Sequence, residues 1–500
     1  MKAKVIFILT IFLSSILVSA SSCKDTTEEE GGGTELSENQ KINKWIYDEM
    51  SFRYYWNDKI PASSSLDYAL SPDRFYFHTL YNYRLPGGDR FSYLENDGVH
   101  MEPTRPQSAG EVKANELGFE YYTLSFNDIG YAYCIVYVKK GTDAEAKGLK
   151  RGDIIYKVNN VRITNKNYGE LLSTGATTYS LELYDQDKTV TVNTTQNYAE
   201  HPLLYSDVIS KGNKKIGYLV YNFFASDKGD GSYQYAKDVN DVLLDFEKKG
   251  IAHLILDLRY NFGGYVISGN YIASAIVPGR GTNSTKIYTK REFNKEYDTY
   301  LKDGLNAKDY EIRVTEFFQD YINGKASNPI ANLNIQNLYI ITSKYTASAS
   351  EQIINGLNPY IDNLQIVGQT TTGKNMESYE IASSDKSIKW VLHPLTSKSF
   401  NSLGRSDYSL GFDPTIGVDV NRAGKYEDDE FRFHKRADGV PSLYPLGNPA
   451  EALLSIALAD ITGDLSKRKM RSGQDNRIEV KPVSSSIENN RSEMIITSPQ

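Results

Sequence analysis

The chain reads as an α/β protein, with a layered and mostly parallel sheet flanked by helices. A small helical domain and a module of short strands precede that core. Two observations predict the core. The runs Leu254-Ile255-Leu256-Asp257-Leu258 and Leu338-Tyr339-Ile340-Ile341-Thr342 have the length and the β-branched, aromatic content of buried strands. Each passes through a turn into a helical stretch, where residues such as Ile353, Ile354 and Leu357 share one face. Strands alternating with helices in this way build a parallel sheet. A third observation separates the module: from about 106 to 200 the apolar runs shorten and turn residues recur.

In chain order, Lys2 and Lys4 precede an apolar run from Val5 to Val18, then Ser19-Ala20-Ser21-Ser22-Cys23. The run is shorter than the roughly 20 residues that span a bilayer and has the regions of a secretory signal. Residues 1–23 resemble a bacterial lipoprotein signal, which implies a lipidated Cys23 and a place in the cell envelope, anchored to the outer membrane. Plain secretion is the other reading. Residues 24–36 are acidic and Gly-rich, a flexible tether. Such an acidic run resembles a surface-display signal and equally serves as a solvated linker, so the periplasmic and cell-surface faces both stay open.

Residues 37–105 form the expected N-terminal helical domain. Ser37 and Gln40 have capping-box spacing, and Ile42, Trp45, Ile46 and Met50 make one face of the helix. A second helix is expected from Pro72 to Leu80, leading to Asp89-Arg90-Phe91-Ser92-Tyr93, which carries no chemical signature of its own. Across 106–200, Leu117-Gly118-Phe119 and Gly148-Leu149-Lys150-Arg151-Gly152-Asp153 resemble the two marks of a PDZ domain. That resemblance implies a loop at Leu117, Gly118 and Phe119 whose N–H groups cradle a peptide carboxylate, beside a strand that pairs with the peptide.

The core spans 205–461. Within it, polar and tyrosine-rich sequence at about 278–330 is expected to form a cap or arm beside the site. Asn448-Pro449 has the pattern of an N-cap and first-turn proline, so a last helix is expected from there through Ala459. Residues 462–500 are Ser-, Lys- and Asn-rich without periodicity, and are expected to be disordered.

Composition excludes several classes. A net charge of −7 with no basic stripe argues against nucleic acid as a partner. Cys134 is the one cysteine besides Cys23, in an apolar strand pattern, and the six histidines lack ligand spacing. No metal and no cofactor are expected.

The chemistry gathers at Tyr345-Thr346-Ala347-Ser348-Ala349-Ser350-Glu351, where a strand hands over to a helix. Unsatisfied N–H groups and the helix dipole there favour a developing oxyanion. Thr372-Gly373-Lys374 follows a further buried strand, and Asp257-Leu258-Arg259-Tyr260-Asn261-Phe262-Gly263-Gly264 ends an earlier one in paired glycines. Together these motifs resemble the C-terminal processing peptidases, also called tail-specific proteases. The family's Ser-Ala-Ser-Ala-Ser-Glu run appears here as Thr346 to Glu351, its Gly-Lys-Gly lysine as Lys374, and its Asp-Leu-Arg-x-Asn-x-Gly-Gly turn as Asp257 to Gly264.

The resemblance implies a ClpP/crotonase-like core and a Ser–Lys dyad, with Ser348 as nucleophile and Lys374 as base. A lysine, ordinarily near pKa 10.4, needs burial to serve as a base at neutral pH. The backbone N–H of Ala349, with that of Gly263 or Gly264, is the expected oxyanion hole. Many family members carry a lysine-orienting glutamine where this chain has Ser378, preceded by Glu377. Ser378 is therefore expected to face the dyad and Glu377 to point away. The implied function is endoproteolysis of unfolded or C-terminally exposed polypeptides. A catalytically silent peptide-binding lipoprotein is the rival reading, and an acyl hydrolase on a related layered fold is a weaker third.

Overall fold

The computed structural model describes residues 36–85, 87–96, 99–100, 112–184, 188–436, 440–464 and 480–490. The signal segment with Cys23 and most of the tether lie outside the described residues.

The central sheet runs in the order Leu203–Lys211, Lys214–Tyr221, His253–Asp257, Asn337–Thr342, Asn363–Gly368. Its first pair is antiparallel and the other three pairs are parallel. Side chains alternate between two cores. Leu254, Leu256 and Ile340 enter one, with Leu243 and Phe246 of the Gln234–Lys249 helix, Ile272 of Val266–Ile276 and Ile353 of Ala349–Leu357. Ile255, Tyr339 and Ile341 enter the other, against Leu454, Ile456 and Leu458 of the Ala452–Thr462 helix. Burial on both faces explains why these strands read as continuous apolar runs.

The last helix starts at Ala452, three residues beyond the expected start at Pro449. Its N-cap is Glu451, whose carboxylate accepts from Leu453 N and Leu454 N. That carboxylate satisfies two of the free N–H groups of the first turn, and the Asn448-Pro449 turn stays outside the helix.

The N-terminal region packs closely onto the core. Helix Glu38–Arg53 starts at the expected capping box, with Ser37 N to Gln40 Oε1 at 2.9 Å and Gln40 N to Ser37 Oγ at 3.3 Å. Strand Tyr93–Asn96, however, pairs antiparallel with Trp390–His393 of the core. The segment at 278–330, expected as a cap or arm beside the site, also joins the core. Its Ile287–Phe293 strand joins a four-stranded sheet with Thr315–Phe317, Leu395–Phe400 and Met376–Ser378. One apolar cluster then takes Ile42, Ile46, Met50 and Phe75 from the N-terminal helices, Phe293 and Leu301 from this segment, and Met376, Leu392 and Leu395 from the core. Burying all three contributions in one place ties these segments together.

The module holds the antiparallel strands Phe119–Phe126, Gly130–Val138, Ile154–Val158, Thr178–Leu183 and Lys188–Asn193. Residues 480–490, expected to be disordered, contribute a strand at Val480–Ser485 on the edge beside Phe119–Phe126, then a 3₁₀ turn at Ser486–Asn490. Among the described residues no helix is long and apolar enough to cross a membrane.

Candidate active site

Ser348 stands at the N-terminus of the Ala349–Leu357 helix with φ 65° and ψ −120°. A side chain rarely adopts that conformation, and it persists only where neighbours over-determine it. The other hydroxyls of the cluster do this. Thr346 Oγ1 donates to Leu258 O at 2.8 Å, Ser343 Oγ to Arg259 O at 2.6 Å and Ser350 Oγ to Asn261 O at 3.0 Å. Ser348 is fully buried, and although the Glu351 N–H faces it in a capping-box arrangement, its Oγ makes no hydrogen bond among the described residues. Leaving a buried hydroxyl unpaired costs about 1–3 kcal/mol. In a native fold such an exception needs a reason, and a held nucleophile supplies one.

The paired-glycine turn lies against this serine. A Cβ on Gly263 would fall 2.6 Å from Ser348 Cβ and 2.8 Å from its Oγ, and one on Gly264 would fall 2.3 Å from Phe224 O. Both residues have positive φ, 110° and 131°, so glycine is required twice over. The Gly263 N–H is spent on Asn261 Oδ1 at 2.8 Å. The N–H groups of Gly264 and Ala349 carry no hydrogen bond among the described residues. Of the expected donors, these two are available.

Glu351 joins the nucleophile to the lysine loop. Its Oε1 accepts from Thr371 Oγ1 at 2.5 Å and Gly373 N at 2.7 Å; its Oε2 accepts from Ser348 N at 3.0 Å and Lys374 N at 2.7 Å. Ser348 and Lys374 thus share one oxygen, and their backbones lie within two hydrogen-bond lengths of each other. Burial pushes the Glu351 carboxyl up from its ordinary range, and these four donors work against that. Lys374 is buried, with Nζ 5.3 Å from the Phe91 ring centroid. Arg90 Nη2 donates to Gly373 O at 2.9 Å and to Ser409 O at 2.8 Å, clamping the turn that carries the lysine. Asp89 holds this N-terminal segment in place, accepting from Phe91 N, Ser92 N and Tyr54 Oη.

Glu377 is fully buried and its carboxylate meets Arg291 Nε at 2.8 Å, Gln352 Nε2 at 2.8 Å and Ser397 Oγ at 3.0 Å. Ser378 is also buried, but strand pairing slips between Glu377 and Ser378, so alternation along the strand does not orient its side chain.

Behind the glycine turn lies a buried charge network. Arg259 Nη2 meets Asp257 Oδ2 at 2.7 Å and Arg259 Nη1 meets Glu451 Oε1 at 2.6 Å. Arg151, from the strand module, meets Glu430 at 2.7 Å, Glu451 at 3.2 Å and Tyr260 Oη at 2.6 Å. The turn bearing Gly263 and Gly264 is therefore wired to both the module and the last helix. Sequence reading missed Arg151, Glu430 and Glu451 in this role.

In the module, Gly118 has φ 93° and its N–H donates to Glu116 Oε1 at 3.0 Å. Phe119 is buried in the module core and Leu117 packs partly against it. One donor of the expected carboxylate cradle is thus already occupied. Among the described residues no group of three or more His, Cys, Asp and Glu side chains is arranged to hold a metal ion.

The family model "Peptidase family S41" matches residues 215–418, and "Peptidase S41 N-terminal domain" matches 41–93, together more than half of the chain. The carboxy-terminal processing protease CtpB of Bacillus subtilis (strain 168) is 26% identical over 289 residues, covering 56% of this chain and 51% of that protein. A CtpA-like serine protease of Staphylococcus aureus (strain MRSA252) is 22% identical over 308 residues, 59% of this chain and 54% of that protein. The chain spans about half the length of these curated relatives. A crystal structure assigned to the S41 proteases, from Bacteroides fragilis NCTC 9343, aligns with a TM-score of 0.63 at 25% identity, over 84% of this chain and 97% of that one. With both family models falling on the segments that build the serine corner and the Arg90 clamp, the chain belongs to peptidase family S41.

Proposed function

We propose that this protein is an exported serine endopeptidase that cleaves peptide bonds through Ser348, with Lys374 as its base. The observation that carries the reading is the buried, unpartnered Ser348 hydroxyl, held in a strained backbone beside two glycines. Ser348 Oγ attacks the scissile carbonyl and Lys374 accepts its proton. The oxyanion that forms takes the N–H groups of Ala349 and Gly264, which are fixed before the reaction and need no reorganisation. Lys374 then returns the proton to the leaving amine, and water repeats the sequence on the acyl-enzyme. Ser378 takes the lysine-orienting role. Unfolded polypeptide reaches the site through the 112–199 module, read as a PDZ-like domain, and Cys23 supplies a lipid anchor to the cell envelope.

The test is incubation of the protein lacking residues 1–23 with reduced, unfolded casein, followed by mass spectrometry of the products. Internal peptides are expected. Intact casein, together with failure of a fluorophosphonate to label Ser348, would leave the chain a peptide-binding lipoprotein.

Arg90 is a positioning residue in this scheme, acting on Lys374 through Gly373 O. Arg90→Ala is expected to lower kcat about 100-fold, the scale of a 1 Å misplacement, with KM little changed. The pH–rate midpoint should move with it, and Arg90→Lys should recover part of the rate. A loss that only follows thermal stability, with an unmoved pH profile, would contradict the role.

A further inference from the structure

We propose that the outer edge of the Phe119–Phe126 strand is a groove for internal, extended polypeptide segments rather than for chain termini. Its resident occupant is residues 480–487 of this chain, which substrate must displace to reach Ser348. The inference rests on the peptidase reading above for its consequence, but not for its geometry.

The occupant runs antiparallel to the edge, with Val480 opposite Phe126, Pro482 opposite Leu124, Ser484 opposite Thr123 and Ser485 opposite Tyr122. It therefore heads towards the Leu117–Phe119 turn, the polarity of a ligand added to a sheet edge. Ser484 Oγ meets Thr123 Oγ1 at 2.8 Å, and Tyr121 N donates to Ser486 Oγ at 2.8 Å. Ile487 then buries itself in a cluster with Tyr122, Phe262 and Tyr345, and Tyr345 Oη donates to Glu488 Oε1 at 2.8 Å. Phe262 adjoins Gly263, and Tyr345 lies three residues before Ser348. The segment thus runs from the module to the rim of the catalytic corner.

Two features make the occupant exchangeable. Lys481, Pro482 and Val483 are exposed, so Ser485 and Ile487 supply the buried contacts. Segments with few buried apolar contacts open at low cost. Pro482 lacks an N–H, which stops a further strand from adding outside it.

The end of the groove rejects a free carboxylate. Ser486 Oγ lies where a terminus would sit, donating to Glu120 Oε2 at 2.5 Å. The Gly118 N–H is taken by Glu116. Lys139 Nζ is shared among Glu116, Glu120 and Glu200 at 3.0, 2.8 and 2.9 Å, and Lys113 Nζ reaches Glu116 at 3.2 Å, so three carboxylates face two ammonium groups. An incoming carboxylate meets negative charge there, whereas a hydroxyl on a continuing chain is accommodated.

The test uses the full chain with Thr123→Cys and Ser484→Cys, whose parent hydroxyls are in contact. Oxidation is expected to cross-link the pair, to lower cleavage of unfolded casein at least tenfold, and to be reversed by reductant. In a Ser348→Ala background, a fluorescent peptide with the sequence of residues 480–490 should bind a chain ending at residue 479 at least tenfold tighter than the full chain. It should not bind the oxidised lock. Free and amidated forms of the peptide should agree within twofold.

Failure of the two cysteines to cross-link, equal and measurable casein cleavage by locked and reduced forms, or equal peptide binding to locked and truncated chains would overturn the resident segment. A free-acid peptide binding tenfold tighter than its amide would overturn the internal-segment preference. The peptide arm needs no catalysis. A chain that exchanges the segment as described but never cleaves casein would refute the peptidase reading and leave this one standing.

Discussion

Ser348→Ala is expected to lower turnover of an unfolded substrate by about 10⁶-fold, the scale seen when the nucleophile is removed from a serine hydrolase whose groups act as a unit. Lys374→Ala should approach the same floor, and the double variant should be no worse than either, because each residue is useless without the other. Ser350→Ala should behave differently. Its hydroxyl is committed to Asn261 O, so its loss loosens the glycine turn without removing a reacting group. Removing the unpartnered Ser348 hydroxyl should also leave thermal stability unchanged or slightly raised, since a buried polar group without a partner is itself a cost. A Ser348→Ala protein that is fully active, or a Ser350→Ala protein as inactive as Ser348→Ala, would place the nucleophile elsewhere. Kinetics on casein and thermal melts of the three single variants are sufficient.

The parts of the site legible in the sequence are those whose physics is local. Ser348 follows a buried strand and opens a helix, and Gly263-Gly264 ends another strand, so both announce themselves within about ten residues. Arg90 was not legible, because nothing near it in sequence shows that its guanidinium meets the carbonyls of Gly373 and Ser409, 283 and 319 residues away. Glu451 was hidden by a stronger local signal, the Asn448-Pro449 turn, and its partners Arg259 and Arg151 are 192 and 300 residues distant. The Val480–Ser485 strand was missed for another reason. An edge strand borrows its hydrogen bonds and its one buried face from the sheet it joins, so it needs no apolar periodicity of its own. The continuous apolar strands of the core were read correctly because burial on both faces leaves no polar alternation to find.

The Glu451 network should contribute to acid stability. Burial alone would raise the Glu451 carboxyl, but Arg259, then Arg151, and the N–H of Leu454 hold it at about 2, below its ordinary 4.5. Because the folded-state value is the lower one, the stabilisation is fully present above pH 4.5. It is lost as pH falls from there through about 2. A shift of that size corresponds to roughly 3 kcal/mol. Glu451→Gln should therefore lower stability at pH 7 by about 3–5 kcal/mol, since it leaves Arg259 and Arg151 buried with less compensation. Shape and part of the cap survive in the glutamine, so the effect reports charge. The gap in urea midpoint between parent and variant should be widest near neutrality and close as pH drops from 4.5 towards 2, where the parent's carboxylate is also protonated. An equal urea-midpoint gap at pH 7 and pH 2.5 would mean that Glu451 acts through packing alone and that the charges behind the glycine turn do not brace it.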